Sequence, residues 1–343
     1  MSTIRVGIVG LGANSKLRHV PGLLECEDVE ITGVCNSNAE STARVADEYS
    51  IPNKFESWEQ LVADPDIDAV VIGTWPYLHC PITLAALSAD KHVMTEARMA
   101  MNADEARQMY EASLAKPDLI TQIVPSPLGL RAHKTVKEII SDGRLGILRE
   151  VAVLGTNTAY ADPQSPLHWR QAAEFSGINM LALGILHEPL VRWIDHPTSV
   201  IATIQTFTET RSTPYDNTTG VVGTPDTVHA VTEIPGGARG IYHLSGVIHH
   251  GPANQVHLYG SEGTLKYRFD TDTLYFGSSS ASEITEVVVP KDDEGGWRVE
   301  EEFINAIRGI EPIEFTTFQA GVKYMEFTEA VLTSAETGEL VSC

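Results

Sequence analysis

Residues 4–15 read Ile4-Arg5-Val6-Gly7-Ile8-Val9-Gly10-Leu11-Gly12-Ala13-Asn14-Ser15, an apolar run that breaks into Gly-x-Gly-x-x-Ser. A parallel strand buried on both faces has this texture, and here it feeds a tight turn and then a helix. Gly10 allows the sharp turn, and Gly12 allows backbone to approach a pyrophosphate closely. Ser15 stands where a third small residue lets the helix lie against the strand. The phosphates of a dinucleotide would sit at the helix N-terminus, where the N–H groups of Ala13 and Asn14 and the helix dipole favour negative charge.

Outward from that stretch, strand-like and helix-like segments alternate. Val29 to Cys35 is a second strand, which completes a β-α-β unit and ends at Asn36-Ser37-Asn38. An acidic residue at this strand end commonly grips the ribose hydroxyls of NAD. Asn36 stands there instead and removes the charge that would exclude a 2′-phosphate. Ser37 adds a donor but no arginine is adjacent, so NAD and NADP both remain open. Ile67 to Thr74 is a further buried strand, which leads through Trp75, Pro76 and Tyr77 to His79. His92 to Glu96 and Leu119 to Val124 supply two more. Asn102 with Glu105 reads as a capping box that opens a helix, and Pro117 ends it. The pattern predicts a doubly wound parallel α/β sheet of the Rossmann type over residues 1–123, with ligands at the strands' carboxyl ends.

From residue 124 the texture changes. A helix over Lys134–Ser141 and a strand from Leu148 precede an apolar helix expected around 177–194. Period-two strands are expected at 199–207, 228–234, 239–246, 254–259 and 284–289, with a last helix near 319–335. The second domain, 124–343, is therefore expected to be α+β with a mostly antiparallel open sheet.

Composition limits the partners. The 343 residues carry 24 Lys and Arg against 46 Asp and Glu, a formal net charge of −22. Such a surface repels nucleic acid and anionic membranes, so neither is expected as a partner. The four cysteines, at 26, 35, 80 and 343, show no Cys-x-x-Cys spacing and suit a reducing cytosol. No leader-like segment and no run of eighteen apolar residues is seen, which leads to the expectation of a cytoplasmic protein.

The chain resembles the glucose-fructose oxidoreductase/inositol dehydrogenase/MocA family (Gfo/Idh/MocA). The resemblance is carried by the turn at 6–12, by Asp64 to Ile72, by Lys91 to Met94, by His168-Trp169-Arg170, by Arg192-Trp193 and by Gly260 to Leu265. It implies a nicotinamide cofactor, a sugar-like or polyol substrate, and a flat carboxyl-terminal sheet face that often makes homodimers or homotetramers. The resemblance also exposes departures. Where the family carries Glu-Lys-Pro, this chain reads Glu96-Ala97-Arg98, so an alanine fills the position of the lysine that orients the substrate oxygen. Arg98 is adjacent, but a guanidinium does not give up its proton near neutral pH. The family's Asp-x-Gly-x-His becomes Ala182-Leu183-Gly184-Ile185-Leu186.

The remaining candidates follow. Thr74, Trp75, His79 and Glu96 end strands at the edge where a dinucleotide binds and are assigned to it. Arg98, Trp169, Arg170 and Asn179 are assigned to substrate, Asn179 because it shares a helical face with Ala182 three residues on. His187 is the titratable imidazole nearest the depleted motif and is the first choice for substrate contact and proton transfer, with Tyr77 in reserve. His249-His250 face opposite sides of a strand, so no metal is expected. The leading expectation is an NAD(P)-dependent oxidoreductase acting by hydride transfer in a cleft between domains. A redox-neutral NAD-dependent glycosidase or lyase and a non-catalytic ligand sensor are the alternatives.

Overall fold

The computed structural model describes residues 2–214 and 218–343. Two compact units emerge. The first comprises Met1–Pro125 together with Arg298–Met325, and the second comprises Ser126–Trp297 together with Glu326–Cys343.

In the first unit, six strands run parallel: β1 (Ile4–Val9), β2 (Val29–Cys35), β3 (Asn53–Lys54), β4 (Ala69–Ile72), β5 (His92–Thr95) and β6 (Thr121–Ile123). Their order is β3-β2-β1-β4-β5-β6. The order reverses between β1 and β4, which opens a crevice at their carboxyl ends. Val6, Ile8, Val70, Ile72 and Val93 are wholly buried, as strands covered on both faces require. Each such side chain contributes about 1.5–3 kcal/mol relative to an exposed one. Helix Ala39–Tyr49 is capped by the Asn38 side chain, which accepts from the Ser41 amide. Helix Ala103–Leu114 is capped by Asn102, which accepts from the Glu105 amide, while the Glu105 carboxylate accepts from Met101 N. The helix expected from Ser15 begins instead as a wider π-turn over Ser15–His19 and continues as Val20–Glu25.

Arg298–Met325 rejoins this unit through a feature that sequence reading did not anticipate. Ile123 and Thr316 exchange backbone hydrogen bonds of 2.9 and 3.2 Å. Beside them the buried Gln122 amide donates to Glu302 at 2.6 Å and to the Phe315 carbonyl at 2.7 Å. The other Glu302 oxygen accepts from the Glu314 and Phe315 amides.

The second unit is built on a nine-stranded sheet. Its strands are β7 (Leu148–Thr156), β8 (Ser199–Gln205), β11 (Thr227–Glu233), β12 (Arg239–Ser245), β13 (Gln255–Gly260), β14 (Gly263–Arg268), β15 (Thr273–Ser278), β16 (Thr285–Glu286) and β17 (Val341–Ser342). Two short strands, β9 (Thr210–Ser212) and β10 (Thr219–Val221), form a separate hairpin. The order in the large sheet is β16-β15-β14-β13-β7-β12-β11-β8-β17. Only β7 and β12 pair in parallel. One face packs Val153, Tyr242, Leu244, Val256, Leu258 and Tyr267 into a core with Leu183, Leu186, Leu190 and Phe327. On the other face Ile201, Val231 and Ile241 lie side by side in register, 43–49% exposed.

Two expectations need correction here. The stretch 284–289 pairs only at Thr285–Glu286, while β14 and β15 supply strands that the period-two reading passed over. The helix expected over 177–194 is split into Ala173–Ser176 and Leu183–Val191. Gly177 and Leu181 both have positive φ between them, which helical backbone does not permit. Asn179 therefore lies in a loop and does not share a helical face with Ala182.

Replacing Glu302 by alanine would strand the Glu314 and Phe315 amides and leave the buried Gln122 amide with the Phe315 carbonyl as its remaining acceptor of the two. Glu302→Ala is expected to lose about 2–4 kcal/mol of unfolding free energy, read from denaturant melts; an unchanged midpoint would mean that this brace carries no stability.

Candidate functional site

The glycine turn is held from three sides. Gly10 N donates to the Cys35 carbonyl at 2.8 Å and Gly73 N to the Val9 carbonyl at 2.7 Å, so β1 is tied to both neighbours at its end. Gly10 has φ +84°, and a Cβ there would lie 2.8 Å from Gly73 and Thr74 backbone. The protein's own chain excludes any side chain at this position. At Gly12, by contrast, an added Cβ would meet nothing within 4 Å. That open volume lies beside the first helical turn, where Ala13 and Asn14 are exposed. Ala13 and Asn14 open the helical run, where the first amides have no acceptor within the helix. These features fit a diphosphate. Ser15 is buried, and its hydroxyl donates to the Gly10 carbonyl at 3.1 Å. It closes the turn from inside.

Asn36 braces the same turn. Its side-chain oxygen accepts from Leu11 N at 2.7 Å, and its backbone N–H donates to Thr42 Oγ1 at 3.0 Å. Ser37 is exposed at the rim. Across the crevice, the end of β4 continues through Thr74 and Trp75 into a turn at Pro76–Leu78, with Tyr77 39% exposed. His79 is wholly buried, with one ring nitrogen 3.0 Å from the Thr74 carbonyl and the other 2.9 Å from the Arg98 carbonyl. It ties the loops after β4 and β5 together. Burial pushes it below its usual value, against two carbonyls that favour a second proton.

Glu96, one residue beyond β5, joins the turn through a residue that sequence reasoning missed. Its Oε1 accepts from the Asn14 amide and faces His19 Nε2 at 2.9 Å, and its Oε2 accepts from Ala97 N at 3.1 Å. His19 Nδ1 lies 2.6 Å from Glu300 Oε1. Burial would lower the imidazole's pKa, but hydrogen bonds to Glu300 and Glu96 raise it to about 9. Burial would likewise raise Glu96, yet His19 and Asn14 hold it below the ordinary carboxylate value.

In the second unit, Trp169 and Arg170 share a one-turn helix over Trp169–Gln171, capped by His168. The Arg170 guanidinium stacks on the Trp169 ring at 4.2 Å. Ser176 Oγ donates to the Arg170 carbonyl, and the Asn179 amide donates to the Ser176 carbonyl. Thus three of the residues assigned to substrate meet through Ser176. His187 is elsewhere. It is wholly buried, stacked 3.9 Å from Phe327, with Nδ1 2.8 Å from the Tyr242 hydroxyl. Burial, with His196 nearby, drives its pKa well below the usual 6.5. Glu188 pairs with Arg192 on the same helix and accepts from Ser126 N at 3.1 Å, an internal brace.

Residues 4–121 match the family model described as "Oxidoreductase family, NAD-binding Rossmann fold", and residues 133–266 match the "GFO/IDH/MocA C-terminal domain". The chain belongs to the Gfo/Idh/MocA family. The 1,5-anhydro-D-fructose reductase of Ensifer adhaerens is 29% identical over 201 residues, which cover 58% of this chain and 59% of that enzyme. The levoglucosan dehydrogenase of Pseudarthrobacter phenanthrenivorans is 29% identical over 148 residues, covering 43% and 38%. A solved levoglucosan dehydrogenase complex with NADH has the same fold, with a TM-score of 0.85 at 22% identity over 99% of each chain. Within the Gfo/Idh/MocA architecture, the unusual Ala97 follows Glu96 at the carboxyl edge of the parallel sheet, one residue from the carboxylate that Asn14 and His19 hold.

The two glycines are expected to respond in opposite ways. Gly10→Ala should lower unfolding free energy by at least about 1–2 kcal/mol from the left-handed backbone alone. Gly12→Ala should leave the melting midpoint in place and weaken NAD⁺ binding about tenfold or more, as measured by titration calorimetry. Equal binding by the Gly12 variant would remove this turn as the diphosphate site.

Proposed function

We propose that this protein is an NAD(P)-dependent oxidoreductase that oxidises or reduces a sugar-like or polyol carbon. The observation that carries the reading is the turn at Gly10–Ser15, closed by Asn36 from within and open at Gly12. Ala13 and Asn14 offer amides to the diphosphate, and Asn36 and Ser37 line the approach to the adenosine ribose. Thr74, Trp75 and Glu96 border the other end. When bound, the dinucleotide supplies hydride exchange at its nicotinamide ring. Relatives named 1,5-anhydro-D-fructose reductase and levoglucosan dehydrogenase support a carbohydrate-like substrate. Trp169 and Arg170 suit such a ligand, one offering an apolar face and the other a charged donor.

The hydroxyl proton needs an acceptor at the carboxyl edge of the sheet. His187 has no exposed atom and stacks on Phe327 in the second unit's core, so we assign it a structural role. His79 is likewise wholly buried, and its two ring nitrogens serve carbonyls. Tyr77 is 39% exposed at the end of β4 and takes the role of proton acceptor or donor, directly or through water. The alanine at 97 favours one second reading, a sensor that binds dinucleotide and sugar without turnover.

The decisive assay follows NADH and NADPH over a panel of sugars, anhydrosugars and polyols. Turnover with at least one is expected, and Tyr77→Phe should lower it about a hundredfold with dinucleotide affinity unchanged. Saturable sugar binding with no turnover would favour the sensor. Glycoside cleavage without net NAD(P)H would favour a redox-neutral cycle.

The outward row Ile201, Val231 and Ile241 is assigned to a second copy of this chain, which makes a homodimer or a homotetramer built from such pairs. A lysine in the middle of an apolar self-contact is strongly disfavoured. Val231 lies between Ile201 and Ile241, so Val231→Lys should shift the mass measured by light scattering toward the monomer; a native chain that is already monomeric would overturn the assignment.

A further inference from the structure

Outside the turn itself, the first unit buries one cluster of titratable groups, and it reaches the dinucleotide edge. His19 is 0% exposed, yet each of its ring nitrogens faces a carboxylate oxygen, Glu300 at 2.6 Å and Glu96 at 2.9 Å. An ionised carboxylate only accepts, so with both acids ionised both nitrogens donate and the ring is an imidazolium. The helix is shaped to admit this arrangement. A Cβ at Gly22, three residues after His19 and on the same face, would lie 2.6 Å from Glu300 Oε2. Glycine inside a helix costs about 1 kcal/mol relative to alanine, and here it makes room for the second carboxylate.

On its other side the cluster ends at the turn. The Glu96 oxygen that faces His19 also accepts from the Asn14 side chain, two residues after Gly12. An isolated carboxylate at that place would oppose an anionic ligand approaching the amides of Ala13 and Asn14. We propose that His19 is a positioning residue for the dinucleotide: its buried positive charge offsets the negative charge of Glu96 and, through Glu96, holds the Asn14 side-chain amide at the mouth of the glycine turn. Glu300 anchors the far side of the ring and keeps it from swinging away. This inference rests on the dinucleotide reading of the turn. It differs from a packing role in that the charge of His19, and not its volume, is what the ligand senses.

The test is a double-mutant cycle on the full chain, with the dissociation constant of NAD⁺, and of NADP⁺ in parallel, measured by calorimetry at pH 7.5 and low salt. His19→Gln is expected to weaken binding about tenfold or more in the native background. In the Glu96→Gln background, where the carboxylate at the turn is gone and only Glu300 on the far side of the ring keeps its charge, the same change should weaken it less than about threefold. Equal losses in both backgrounds, or no loss in the native one, would overturn the proposal. Should His19→Gln fail to fold, nitrogen-15 spectra of the native chain decide. Both His19 ring nitrogens are expected to be protonated at pH 7.5, and a neutral tautomer would overturn it. A native chain that binds neither dinucleotide removes the reading on which the inference rests. Native binding with additive losses removes the inference alone.

Discussion

The first unit depends on one close approach. The backbone of Gly10 lies against that of Gly73 and Thr74 so tightly that no Cβ fits between them. This contact brings the end of β1 to the end of β4, where the strand order reverses, and aims the following helix at the crevice. Asn36 completes the arrangement from the third side by accepting from Leu11 N. The position that in NAD binders usually recognises a ribose is here an internal brace, made by a side-chain oxygen that accepts from the turn.

The proposed dinucleotide edge lies on a chain of net charge −22, which poses an electrostatic problem. On that proposal the turn would answer it with main-chain amides and a helix terminus, which act at short range where the surface field is screened by salt. Lysines and arginines are scarce, and several are engaged elsewhere: Lys16 pairs with Glu48, and Lys91 donates to the Asp64 and Ile67 carbonyls. The positive charge next to Glu96 comes instead from a histidine, made cationic by two carboxylates in a buried setting. A buried acid, a partly buried acid and one buried base leave a single net negative charge when all are ionised, which is easier to accommodate than two.

The second unit divides its polar residues between structure and surface. Glu188 and Arg192 hold the start of the unit against its central helix, and the Arg211 guanidinium donates to the carbonyls of Tyr160, Asp162 and Ser165. His187 belongs with these. An imidazole that stacks on Phe327 and touches the Tyr242 hydroxyl fills the core as an aromatic ring would. What this unit offers outward is the Trp169–Arg170 pair and the apolar strip across the open sheet.

Much of this was legible in the chain alone. Strands buried on both faces are near-continuous apolar runs, so β1 and β4 announced themselves, and Asn102 with Glu105 marked a helix start through contacts only three residues apart. The glycine turn was legible for the same reason, since its constraint acts between neighbours. Where the sequence misled, backbone conformation or distant residues had the deciding vote. Asn179 left its expected helix because Gly177 and Leu181 adopt positive φ, and His187, polar by type, was drawn into an aromatic core assembled from β12 and the last helix. The return of Arg298–Met325 to the first unit, and the bond from His19 to Glu300 across 281 residues, carry no local signal. Local periodicity and turn chemistry determined the parallel sheet and its cradle. Which acids surround the buried imidazole was decided by tertiary structure alone, because charge pairing depends on distance in space and not on spacing along the chain.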